Sequence, residues 1–151
     1  MVTEIKDGNG QLKKSEIEEL ENNNSLQLPP TYRTFLETFN GGYPDPDGFS
    51  FIDSDDGSSV DRFLGINVGK HSNLEKYLKI YEGRLPKGLF PIAHDPGGNL
   101  ILIGIEEPIR GKVFFWDHEK EVDSGAPDMS NVYPVANSFE DFLNELHEYE
   151  I

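Results

Sequence analysis

The sequence predicts an α+β fold, in which helices pack on one mainly antiparallel sheet of about five or six strands. Apolar residues recur at helical spacing in the first part of the chain and again at its C-terminal end. Between them lie short apolar runs rich in β-branched and aromatic residues. The last of these runs are joined by connections too short for a crossover, so they form an antiparallel meander in the second half of the chain.

The residues through Gly10 read as loosely ordered, with Gly8-Asn9-Gly10 as a turn. Ser15-Glu16-Ile17-Glu18 reads as a capping box opening a helix that buries Ile17 and Leu20 and stops at Asn22-Asn23-Asn24. Prolines 29 and 30 stand at the entry of a second helix, where a missing N–H costs little. Tyr32, Phe35, Leu36 and Phe39 form its buried face, and Asn40-Gly41-Gly42 supplies a left-handed exit. Phe49 to Ile52 reads as a short strand within a Pro/Asp/Gly-rich stretch, and Phe63 to Val68 as another. Ser72-Asn73-Leu74-Glu75 has the pattern of a capping box, followed by a short helix with Leu74, Tyr77, Leu78 and Tyr81 inward.

The meander is predicted from strands over 90–93, 99–104 and 112–116, with Asp95-Pro96-Gly97-Gly98 and Pro108 to Gly111 as turns. Trp116 falls in alternation with large aromatics and reads as core. Ser138 caps a last helix with Phe139, Phe142, Leu143 and Leu146 on one stripe.

The 151 residues suit a single domain spanning 1–151, and 36% hydrophobic and 11% aromatic residues suffice for a core. No apolar run approaches the ~20 residues of a membrane-spanning helix. The N-terminus lacks the basic start and apolar centre of a signal peptide. Cysteine is absent, which removes disulfides and thiolate nucleophiles and agrees with a cytoplasmic location. Asp and Glu outnumber Lys and Arg by 28 to 13, for a net charge of −15. Such a field repels nucleic acids and anionic lipid surfaces and draws in a basic protein partner.

Four segments stand out in order: Leu28-Pro29-Pro30-Thr31-Tyr32-Arg33-Thr34-Phe35-Leu36 with Asn40-Gly41-Gly42, Phe90-Pro91-Ile92-Ala93 with Asp95 and Gly98-Asn99, Val113 to Glu119, and Ala136 to Leu143. Together they resemble the SUKH superfamily, which includes a fungal cell-wall-assembly regulator and bacterial toxin-immunity proteins. The matching region covers about residues 28–146 in the family's order. The resemblance implies a non-catalytic α+β module. It implies a bacterial immunity protein that binds and neutralises a toxin, a nuclease being one possibility, or a regulatory scaffold related to cell-wall control. Residues 43–56 and 121–131 depart from the pattern. In such a family these variable loops would choose the partner. Asp45, Asp47, Asp53, Asp55 and Asp56 are the candidates for steering a basic toxin domain, with Tyr43 and Phe49 as apolar anchors.

The competing reading is chemical. Strand 112–116 ends on Asp117-His118-Glu119, and strand 90–93 ends on His94-Asp95. First and third strands of a meander finish at the same end of the sheet, so these groups share a rim. His94, Asp117, His118 and Glu119 form the sharpest candidate set for a small metal-assisted hydrolase. Against this, no ligand set has recognised metal spacing and no cofactor motif is present, so the block reads as a polar strand exit. Asp53-Ser54-Asp55-Asp56-Gly57 superficially resembles a calcium loop, but its Gly falls fifth and Leu64 occupies the twelfth place. Residues 95–99 join two strands without a Lys, unlike a phosphate loop, and no Gly-x-Ser-x-Gly elbow is present.

Overall fold

A computed structural model describes residues 3–122 and 125–148. Its central element is a five-stranded antiparallel sheet in sequential order: β5 (Arg62–Phe63), β6 (Leu89–His94), β7 (Leu100–Gly104), β8 (Val113–Trp116) and β9 (Val132–Ala136). Two small sheets flank it, pairing β1 (Glu4–Lys6) with β2 (Tyr43–Asp45) and β3 (Gly48–Ser50) with β4 (Gly57–Ser59). The helices are α1 (Lys14–Asn23), α2 (Pro30–Phe39), α3 (Leu74–Ile80) and α4 (Phe139–Asn144). The predicted α+β class and meander are both observed.

Strand alternation divides the sheet into two apolar faces. Ile101, Ile103, Val113 and Phe115 face the main core with α1, α2 and α4. Leu100, Leu102, Phe114 and Trp116 face the other side, under Tyr77, Tyr81, Leu85 and Ile109. Trp116 is fully buried, as predicted. Tyr32 and Phe35 meet Phe139 at ring-centroid distances of 5.4 and 5.1 Å, which clamps α2 against α4. Edge-on aromatic pairs of this kind add about 0.5–1.5 kcal/mol each beyond area burial.

Several local expectations are corrected. The stretch through Gly10 is not loose throughout, because Glu4–Lys6 pairs with Tyr43–Asp45. Helix α1 starts one residue before Ser15. There Glu16, not Glu18, closes the helix start by accepting the Lys13 N–H at 3.1 Å. The cap of α3 is Asn73 rather than Ser72, and its side chain accepts the Lys76 N–H at 3.1 Å. The strand expected over 49–52 is Gly48–Ser50, since Phe51 and Ile52 turn away to bond Asp56 and Pro134 carbonyls. The strand expected over 63–68 keeps only Arg62–Phe63. After it the backbone bends, and the Asn40 side chain bonds both Ile66 N–H and Ile66 C=O. Strand β9 was absent from the sequence reading, because Pro134 in its centre argues against a strand. It is accommodated at the sheet edge, where Pro134 C=O accepts the Ile52 N–H at 2.9 Å.

Candidate functional site

The β3–β4 hairpin lifts the acidic loop away from the sheet. Phe49 pairs with Ser58 and Ser50 with Gly57, so residues 51–56 form the exposed tip. Asp53, Asp55 and Asp56 are exposed. The tip is ordered by the Phe51 N–H bonding Asp56 C=O at 2.9 Å and the Asp56 N–H bonding Ser54 Oγ at 3.2 Å. Beside it runs a groove of about 550 Å3 lined by Phe49, Ser50, Asp55, Asp56, His147 and Glu148. His147 reaches the groove because residues 48 and 147 bridge as antiparallel partners, and its Nε2 lies 3.1 Å from Ser50 Oγ. The sequence reading missed His147 and Glu148. They join the loop across 97 residues, and no periodicity announces the bridge.

The other partner-contact candidates sit differently. Asp45 is exposed on β2 but bound to Lys6 Nζ at 2.9 Å, a contact that raises the Lys6 pKa. Tyr43 is half-buried, with the Arg62 guanidinium 5.4 Å from its ring centroid. Asp47 is half-buried at the hairpin entrance, where its carbonyl accepts the Val60 N–H. Phe49 cannot serve as an exposed anchor. It is 3% exposed and packs against Phe51, Phe115 and Phe142. The exposed apolar residue of this region is Ile52, at 53%.

The polar strand ends share a rim, as expected, but form two separate networks. Asp95 is buried and accepts from Gly97 N–H at 2.9 Å, Asn99 N–H at 2.8 Å, Asn99 Nδ2 at 3.0 Å and Ser58 Oγ at 2.8 Å. His118 joins this corner: its N–H bonds Asn99 Oδ1 at 3.0 Å and its Nε2 lies 2.9 Å from Gly97 O. Asp117 caps the following turn by accepting the Glu119 N–H at 3.0 Å, while Glu119 points to solvent. His94 belongs elsewhere, between Ser72 and Asp61 and stacked on Tyr77. Among the described residues, no three His, Cys, Asp or Glu side chains converge as a metal cage. The geometry therefore does not assemble the proposed hydrolase set. Asp95 and His118 shape a turn, in keeping with the polar-strand-exit reading.

Arg84 and Glu121 form a further polar feature. Nε and one terminal nitrogen of the guanidinium bond the carboxylate at 2.9 and 2.8 Å. The Arg84 guanidinium also lies over Tyr81, 4.6 Å from the ring centroid. The hydrogen bonds from Arg84 hold the Glu121 carboxyl below its ordinary range.

With this geometry in place, comparison with known proteins identifies the fold's family. The profile of the SMI1 / KNR4 family (SUKH-1) matches residues 11–145. The chain belongs to the SMI1/KNR4 family. It is also 32% identical over 148 aligned residues to the SPbeta prophage-derived uncharacterized protein YokK of Bacillus subtilis (strain 168). That alignment covers 87% of this chain and 72% of the relative. Family membership supports a toxin-immunity or cell-wall-related role. No described helix is long and apolar enough to cross a membrane.

Proposed function

We propose that this chain is an immunity protein, a protein-binding module that neutralises a bacterial toxin domain by covering its active surface. Family membership supports the role, and the exposed tip bearing Asp53, Asp55 and Asp56 carries the assignment of the binding face. Occlusion requires no bond to be made or broken by the inhibitor. A net charge of −15, with Asp53, Asp55 and Asp56 exposed on the tip, accelerates encounter with a cationic partner. The groove beside the tip combines carboxylates of Asp55, Asp56 and Glu148 with an adjoining hollow lined by Ile52 and Phe142. This pairing suits Lys and Arg side chains, whose stems are apolar and whose heads are charged. Ile52 replaces Phe49 as the apolar contact. Cytoplasmic residence, where a toxin would be met before it acts, belongs to the same proposal.

The test is capture from lysate of the source cells at low salt, followed by co-expression of the captured partner in a heterologous host. The proposal expects a stoichiometric basic partner, released by salt, whose toxicity this chain suppresses. A captured partner whose toxicity is unaffected by co-expression would count against immunity and favour the regulatory-scaffold role.

A further inference from the structure

His94 is held in a relay that the immunity role does not use. Its Nε2 lies 2.8 Å from Ser72 Oγ, and its Nδ1 lies 3.4 Å from Asp61 Oδ2. The arrangement is built by the fold. Strand pairing sets Arg62 opposite His94, and the Asp61 N–H donates to His94 C=O at 2.9 Å, which brings the Asp61 side chain alongside the imidazole. Tyr77 of α3 stacks on the ring, with centroids 5.8 Å apart and planes 17° from parallel. Ser72 arrives from the loop before α3, anchored by the Gly65 N–H to Ser72 C=O bond at 2.9 Å and the Leu74 N–H to Gly65 C=O bond at 2.8 Å. Its backbone is left-handed, with φ 53°. A non-glycine residue in that region carries a conformational cost that surrounding contacts must hold in place. Because the two bonds to Gly65 use the groups on either side of Asn73, the Asn73 N–H faces away from Gly65, next to Ser72.

Hydroxyl on one imidazole nitrogen and carboxylate on the other is the arrangement that activates a serine, whatever the fold or order in the chain. We infer that Ser72, His94 and Asp61 form a nucleophilic relay able to cleave a small, uncharged carboxylic ester. Ser72 Oγ bonds the carbonyl carbon while His94 Nε2 takes the hydroxyl proton. The ester C–O bond then breaks, and the departing alcohol receives that proton from His94. Water adds to the acyl-serine, giving its proton to His94. The acid leaves as the Ser72 oxygen recovers the proton. Asp61 Oδ2, 3.4 Å from Nδ1, sets a carboxylate beside the other ring nitrogen. Ser72 and His94 are half-buried and Asp61 is exposed, so the relay is reached from solvent. The −15 net charge disfavours anionic substrates.

The experiment is labelling of the full-length protein with a fluorophosphonate probe, which loses fluoride as a serine oxygen bonds phosphorus. Peptide mass mapping then locates the adduct. The inference expects a single adduct on Ser72. Its rate should fall at least about 100-fold in His94→Ala. Asp61→Asn should slow it by about tenfold, a smaller effect because this carboxylate is exposed. An unmodified Ser72 after exhaustive labelling of the unmutated protein overturns the inference without recourse to any variant. So does a Ser72 adduct that forms equally fast in a folded His94→Ala protein.

Discussion

Asp95 holds Asn99 by two contacts, accepting its backbone N–H at 2.8 Å and its side-chain amide at 3.0 Å. Asn99 in turn accepts the His118 N–H through Oδ1, so one buried carboxylate fixes the β6–β7 turn and, through Asn99, the exit of β8. Removing Asp95 leaves four donors without their acceptor in a part-buried site. Asp95→Ala should therefore cost about 3 kcal/mol. Asn99→Ala should cost less, and the double variant should fall short of the sum because the two side chains act together. Urea unfolding measures this as a lowered midpoint at unchanged slope.

The Arg84–Glu121 pair gives a defined pH response. The Glu121 carboxyl is held below its ordinary value in the folded protein, chiefly by its hydrogen bonds from Arg84. A depressed folded pKa means the contribution is present above the ordinary Glu value and disappears as pH falls through the folded value. The side chains are 41% and 23% exposed, so solvent screens the pair and its worth is about 0.2–1 kcal/mol. Glu121→Gln should lower stability at pH 7 by that amount and leave stability nearly unchanged at a pH acid enough to protonate the paired carboxylate. Parallel denaturation curves at the two pH values check both the size and the sign.

Charge on the tip is separable from stability. Changing Asp53, Asp55 and Asp56 to Asn takes the net charge from −15 to −12, three negative charges being removed. All three residues are exposed, so the melting point should barely move. Association with a basic partner should slow, and its rate should become less dependent on ionic strength. Stopped-flow binding across a salt series reads both. An unchanged association rate would remove the tip from the encounter.

What the sequence made legible follows from how far apart the cooperating residues lie. Local signals held: the Tyr32, Phe35 and Leu36 spacing, the Ser138 cap and the Asn40 exit are all present. The two-residue shift at the start of α1 shows how alike neighbouring capping candidates are, since Glu16 and Glu18 both lie within reach of a plausible cap. Phe49 misled because a Phe in an Asp/Gly-rich stretch resembles an exposed anchor. Its burial depends on β8 and α4, far along the chain. The Ser72–His94 contact spans 22 residues and the Ser50–His147 contact 97, and neither falls on any repeat. Pro134 hid β9 altogether, since only an edge position tolerates it there.

Asn40 allows backbone and side-chain contributions to be measured separately. It is buried at 4% exposure, left-handed with φ 47°, and its N–H caps α2 by bonding Leu36 C=O at 2.9 Å. Its side chain also spans to the following loop, accepting Ile66 N–H at 2.7 Å and donating to Ile66 C=O at 3.0 Å. Asn40→Gly keeps the left-handed conformation at no steric cost but abandons both side-chain bonds, so it should lose about 2 kcal/mol. Asn40→Ala loses the same bonds and adds the cost of a left-handed alanine, roughly 1 kcal/mol more. Gly should therefore be the milder substitution by thermal or urea unfolding. Equal losses would mean that the two bonds to Ile66 account for the whole effect and that the left-handed cap costs alanine nothing here.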